Sequence, residues 1–354
     1  MQLIESYNIH NLVSLQINTK KTPDIFKVLN NPIIYFQVEK LKNPPDIFIN
    51  IDKFDADNHG CFIVDHKYFI KEDYFYCEDD FQGSKWKVEF KGFENSPSFI
   101  QLDISKLANK FILTPGILQF GLFLRQVISY HLLLKGIYLL HGSACAKDGK
   151  GLLFFGRGGS FKTSLAMKIM RLQKNWGFVG DDSVILDNGM IRSFPINIAH
   201  YSYRLKYLSS EELSLIDRLK LFPFSSKFTR PEYPIVDRSH ATCLINCKAK
   251  TSGKLEIRKT DLASTLRALL VESAVDDHSN SGIGHAQIFP LYVEAYSYIY
   301  PDNKLKNRWA PLNLPSKIFN EVSAFELDIP INYFRKSDQY ELDNILHRIL
   351  EDYF

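Results

Sequence analysis

The 354 residues hold little that would bind the chain to itself covalently or to a membrane. The five cysteines are Cys61, Cys77, Cys145, Cys243 and Cys247, an odd number at scattered spacing, which implies no disulfide framework. No second pair of ligand type lies near Cys243 and Cys247, so they read as buried thiols and not as part of a metal site. Charge of one sign is also scarce. Lys and Arg number 43 against 40 Asp and Glu, a balance of +3, too small for a nucleic-acid binder driven by bulk charge. The most apolar region, 111–140, is interrupted by Pro115, Gly121, Arg125, His131 and Lys135. A membrane span needs about 20 apolar residues with few charges, so no membrane association is expected. The opening MQLIESYNIHNL has no basic stretch leading into an apolar one, so no secretory signal is expected and a reducing cytoplasm is the expected compartment. Repeats and low-complexity tracts are absent. What remains is 45% hydrophobic and 23% charged, the composition of an ordinary globular chain, long enough for about two domains.

Residues 1–110 are rich in Phe, Tyr, Ile and Asn, with alternating runs such as CFIVDHKYFI and KWKVEFKGF that predict β-strands. Turn residues separate them at Asn43–Pro44–Pro45, Asn58–His59–Gly60 and Asn95–Ser96–Pro97. The acidic cluster Glu78, Asp79 and Asp80 reads as a solvated loop. A helix is expected from Thr114 as N-cap and Pro115 as first residue, ending at Gly136. IYLLHGSACA (137–146) then reads as a strand, Asp148–Gly149 as a hairpin turn, and GLLFF (151–155) as the return strand. LAMKIMRLQ (165–173) reads as a helix, and GFVGDDSVIL (177–186) as a strand broken by two carboxylates. Further on, helices are expected over 209–222, over 261–273 and at the C-terminus. Strands are expected at 243–249 and 254–259, and a polar mobile stretch at 276–285.

The chemistry concentrates in 137–186. Between the strand 151–155 and the helix that follows lies GRGGSFKTS: Gly156, Arg157, Gly158, Gly159, Ser160, Phe161, Lys162, Thr163 and Ser164. Gly156, Lys162 and Thr163 fill three of the four fixed positions of the phosphate-binding pattern G-x-x-x-x-G-K-[ST]. The glycines allow a nest of inward-pointing N–H groups, and the following helix adds its N-terminal dipole. Lys162 supplies a point charge for the β- and γ-phosphates, and the Thr163 hydroxyl can ligate Mg²⁺. The fourth fixed position holds Phe161 in place of glycine. A side chain there must point away from phosphate, and if the position needs a positive φ it is strained by about 1–2 kcal/mol.

Asp181 and Asp182 follow an apolar strand only 19 residues after Lys162, so one helix and one strand return them to the loop. Two adjacent strand residues point to opposite faces, which gives the carboxylates different tasks. Thr163 and Asp182 are the candidate Mg²⁺ ligands, while both aspartates stay open as the group that takes a proton from an attacking hydroxyl. His141 ends an apolar strand that should be hairpin-paired to the strand feeding the loop, and so joins the site.

LLHGSACAKDGKGLLFFGRGGSFKTSLA followed by WGFVGDDSVIL resembles the HPr kinase/phosphorylase family and its relatives, serine kinases akin in fold to phosphoenolpyruvate carboxykinase. The clear resemblance covers 137–198. It implies ATP and Mg²⁺ as cofactors, Lys162 as the loop lysine, the Asp181–Asp182 pair as base and metal-side carboxylate, and His141 as the base's assistant. Arg204, Arg230 and Arg238 are candidates for the positive group that the family places near the γ-phosphate. Phe161 departs from the family's loop, and no stretch matches the C-terminal signature of true HPr kinases. The bifunctional enzyme of sugar regulation is therefore not expected, and a relative with another acceptor is.

The expected fold is α/β, an HPr kinase/phosphoenolpyruvate carboxykinase-like P-loop core with a β-rich N-terminal region. The expected divisions are an accessory region at 1–110, a kinase core at 111–335, and a C-terminal helix at 336–354 packing on the core. The expected activity is transfer of the γ-phosphate to a hydroxyl of a protein, a peptide or free serine. The partners are then a nucleotide and that acceptor, with no nucleic acid. The competing readings are a non-catalytic nucleotide-binding module, which binds without turnover, and a scaffold that binds none.

Overall fold

The structure, a computed structural model, describes residues 3–19, 33–81, 84–94, 97–105, 115–173, 175–195, 233–279, 288–305, 321–331 and 340–354. The described chain is mixed α/β, with two large mixed sheets and five α-helices: α1 (Pro115–Leu133), α2 (Lys162–Leu172), α3 (Leu262–Ser279), α4 (Ile288–Ile299) and α5 (Tyr340–Tyr353). Among the described residues no helix is long and apolar enough to cross a membrane. The helix expected over 209–222, Arg204, Arg230 and Thr114 lie outside the described residues.

The strand-rich N-terminal region forms the first sheet from β1 (Leu3–Ile9), β2 (Val13–Thr19), β3 (Gln37–Val38), β4 (Ile47–Ile51), β5 (Phe62–Val64), β6 (Tyr68–Lys71), β7 (Tyr74–Phe81), β8 (Ser84–Lys91) and β9 (Ser98–Ile104). Their order is β3-β1-β2-β4-β9-β8-β7-β6-β5. The two-residue alternation buries one face: Leu15, Ile17, Ile47, Ile49, Phe75, Phe90 and Ile100 are all buried. An aromatic cluster belongs to this unit, with Phe75, Phe90 and Phe93 against Tyr292 of α4, and Tyr130 of α1 donating to the Phe93 carbonyl at 2.7 Å. Glu78, Asp79 and Asp80 do not form a loop. They stand in β7, with Lys87, Trp86 and Lys85 of β8 opposite them. Cross-strand lysines make the acidic Glu78 and Asp80 compatible with a strand.

The second sheet contains β10 (Tyr138–Leu140), β11 (Gly142–Lys147), β12 (Lys150–Phe155), β13 (Gly177–Asp181), β14 (Val184–Asp187), β15 (Met190–Arg192), β16 (Phe194–Pro195), β17 (Arg238–Lys250), β18 (Glu256–Lys259) and β19 (Ser323–Pro330). The main path runs β10-β14-β15-β17-β12-β11-β13-β16, and β19 joins β17 to β18. The hairpin between β11 and β12 turns at Asp148 (φ 50°) and Gly149 (φ 79°), where both central residues need a positive φ and Asp-Gly supplies it. α2 and α5 share one core with this sheet: Leu165, Ile169, Leu152, Phe154, Ile245, Leu327, Leu342 and Leu346 are all buried together.

The chain divides into two compact units. α1 belongs with the first sheet, and the chain returns to that unit over 288–305 before the second unit resumes. The polar stretch expected at 276–285 is helical as far as Ser279, as the end of α3, and its remainder lies outside the described residues.

Candidate functional site

The strand order puts the chemistry at one end of the second sheet. β11 lies between β12 and β13 and is antiparallel to both. The end of β12, the end of β13 and the beginning of β11 therefore meet. They bring the 156–164 loop, the Asp181–Asp182 pair and His141 together.

The loop leaves β12 at Gly156, whose φ is 138°. A Cβ there would come within 2.2 Å of the Cys247 carbonyl oxygen of β17, so only glycine fits between the two backbones. Ser160 N–H closes the turn onto the Arg157 carbonyl at 3.1 Å. Phe161 follows with φ 66° and ψ 14°, left-handed, as the residue before α2. The position thus has the conformation that its replaced glycine favours. Its ring packs against the core beneath the loop, as a side chain at this position must if phosphate is to be admitted. α2 begins at Lys162, directly after the loop, and Thr163 and Ser164 fall in its first turn.

Lys162 is 6% exposed. Its Nζ donates to the carbonyls of Gly156 at 2.7 Å and Arg157 at 3.3 Å. The ammonium is thus held over the loop by the loop's own backbone. Arg157 stands exposed, with Nε 3.6 Å from Glu272 of α3.

The two aspartates occupy different environments. Asp181 ends β13 and is 1% exposed. Thr163 Oγ1 lies 2.8 Å from its Oδ1 and 3.0 Å from its Oδ2, and Ser143 Oγ donates to the same Oδ1. The hydroxyl beside Lys162 therefore meets Asp181, whereas the sequence pairing had joined Thr163 with Asp182. Asp182 turns out of the strand with φ 58°, a conformation aspartate tolerates, and its side chain is 64% exposed. His141 Nε2 lies 4.0 Å from Asp182 Oδ1, beyond a hydrogen bond but within ion-pair reach.

His141 is not inside one continuous strand. It sits at the break between β10, which pairs with β14, and β11, which pairs with β12. Its backbone N–H donates to Ser273 Oγ of α3 at 3.0 Å. Ser143, Glu272 and Ser273 are neighbours that lie outside the motif. Ser143 carried a legible signal, standing two residues beyond His141 and so on the same side of an extended chain. Nothing in the spacing could bring α3 here. Arg238 opens β17 at the opposite end from the loop: β12 and β17 run parallel, with Lys150 opposite His240 and Phe155 opposite Asn246.

Asp181 and the Thr163 hydroxyl offer only oxygen, which suits a hard divalent cation. Among the described residues no group of three or more His, Cys, Asp and Glu side chains forms a metal cluster. No protein-family model matches the chain, and no curated protein matches it significantly.

Proposed function

We propose that the chain is an ATP- and Mg²⁺-dependent kinase with an HPr kinase/phosphoenolpyruvate carboxykinase-like P-loop core, transferring the γ-phosphate to a hydroxyl of serine in a protein, a peptide or the free amino acid. One observation carries the reading: the loop hydroxyl of Thr163 meets the buried carboxylate of Asp181, while the exposed Asp182 stands beside His141. A buried carboxylate facing a phosphate-type loop and a solvent-facing one next to an imidazole divide the work of phosphoryl transfer.

The loop N–H groups and the start of α2 favour anionic phosphate oxygens. Lys162 would exchange the carbonyls of Gly156 and Arg157 for those oxygens without leaving its place. Asp181 and Thr163 would hold Mg²⁺, which when bound neutralises charge on the phosphates. Asp182 is left facing outward to orient the acceptor hydroxyl and take its proton, with His141 beside it to assist. Most of the acceleration would come from positioning and charge stabilisation.

The second reading, a nucleotide-binding module without turnover, draws on Lys162 being satisfied by loop carbonyls. Release and transfer of labelled γ-phosphate from ATP with Mg²⁺ separates the two, with free serine and a cell extract as acceptors. The expected result is transfer by the wild type, lost by roughly 100-fold or more in Asp182→Asn, with ATP binding retained. Lys162→Ala should lose both binding and transfer. Tight ATP binding without transfer would move the assignment to the module, and absence of ATP binding would sink both readings.

A further inference from the structure

Ser143 is buried in β11, and its hydroxyl donates to Asp181 Oδ1. The strand that carries it is locked in place. A Cβ on the preceding Gly142 would meet Leu153 Cδ1 at 2.8 Å and the Phe154 carbonyl oxygen at 2.9 Å, so β11 lies tightly against β12. On its other side Ala144 is opposite Gly180, which sets Ser143 beside Asp181, and the register shifts immediately after, between Ala144 and Cys145. Irregularities of this kind re-aim side chains next to functional positions.

A carboxylate as buried as Asp181 is costly unless its lone pairs are filled. Its hydroxyl partners differ in what they are free to do. Thr163 belongs to the loop and the first turn of α2, where its oxygen can turn to a cation. Ser143 belongs to the sheet interior and has no such access. Once Thr163 turns away, Ser143 still fixes Oδ1.

We propose that Ser143 is a positioning residue that holds Asp181 Oδ1 so that Oδ2 faces the divalent cation carried by a bound nucleoside triphosphate. This rests on the kinase reading above, and it assigns Ser143 an effect on cation affinity distinct from nucleotide affinity. A hydroxyl that merely filled space would change stability alone.

The test is ATP binding by calorimetry on the full chain, in EDTA and across a Mg²⁺ titration. For the wild type, ATP affinity is expected to rise with Mg²⁺. In Ser143→Ala the Mg²⁺ midpoint should move up about tenfold, the low end of the effect of removing a hydrogen-bond partner of a metal ligand, with ATP affinity in EDTA unchanged. Ser143→Thr, which keeps the hydroxyl, should restore the midpoint. If Ser143→Ala does not fold, Ser143→Cys, near in volume and a weak donor, replaces it with the same expected shift. An unmoved Mg²⁺ midpoint overturns the assignment, as does an equal loss of affinity in EDTA. Wild-type ATP binding that ignores Mg²⁺, or no binding at all, overturns the kinase reading itself and the role of Ser143 with it.

Discussion

Phe161 holds a left-handed backbone conformation, φ 66° and ψ 14°, that costs an L side chain about 1–2 kcal/mol. Its ring lies partly buried against the core under the loop, which offsets that cost. Substitutions separate the two effects. Phe161→Gly and Phe161→Ala both lose the ring, but only glycine is relieved of the strain. The glycine variant should therefore be the more stable of the two by about 1 kcal/mol, reversing alanine's usual advantage. Denaturant midpoints at equal slope measure this, and an alanine variant as stable as the glycine one would contradict the left-handed assignment. The loop pattern marks this position as one for glycine. Strand alternation predicts the separation of Asp181 from Asp182, but only Asp181 is in the strand, and the turn at Asp182 is what parts them. Which of the two meets Thr163 was not legible, because that depends on how β13 ends: its last residue stays in the sheet and the next turns out with a positive φ.

Elements with strong local signals matched their sequences. α1 starts at Pro115, and Gly136 follows its end with φ 71°. The Asp148–Gly149 hairpin and the apolar strand before the loop also stand where local chemistry put them. α4 had no such signal. Its sequence IFPLYVEAYSYI is aromatic and β-branched with little polar contrast, and Pro290 sits in its first turn, where the missing N–H costs nothing. Such a segment is helical because its aromatic residues pack in a core, and tertiary packing overrides propensity. α5 is the opposite case. Leu342, Ile345, Leu346 and Ile349 form a helical stripe, all buried against the core that includes α2. Lys168 of α2 also meets Asp343 of α5 at 2.7 Å. Leu346→Ala should lower stability by about 2–5 kcal/mol. Lys168→Ala should cost no more than about 1 kcal/mol, because that pair is partly exposed. Chemical denaturation of the two variants side by side checks the ranking, and a larger loss from Lys168→Ala would reverse the weight given to packing.

At the scale of the molecule, alternation made the strand-rich N-terminal region legible, and the motif run from 137 to 186 located the candidate site. The division into units was not legible, because it depends on contacts between segments far apart in sequence. Within the first unit His131 is buried against Ser98, its Nε2 3.0 Å from the Ser98 hydroxyl. Burial pushes its pKa down to about 4 from 6.5, with Lys135 adding to the fall and Asp46 opposing it. Above pH 6.5 the imidazole is neutral in the folded and the unfolded chain alike. Below that, the unfolded chain takes up a proton that the folded one refuses until about pH 4, so stability is lost across that window as pH falls. The loss reaches about 3 kcal/mol at the acid end. His131→Gln should remove this component, so the wild-type advantage over the variant should shrink by that amount between pH 7 and pH 4. A pH-independent difference would mean that folding leaves the imidazole's pKa where it is in the unfolded chain. The return of α4 to the first unit has a consequence for how the chain can be cut. A fragment ending at Lys135 would carry all nine strands and α1, yet leave Phe75, Phe90, Phe93 and Tyr130 without their aromatic partners Phe289 and Tyr292. The N-terminal region is thus not a detachable module that recombination could hand on by a single junction, and on the ribosome its core stays open until most of the chain has been made.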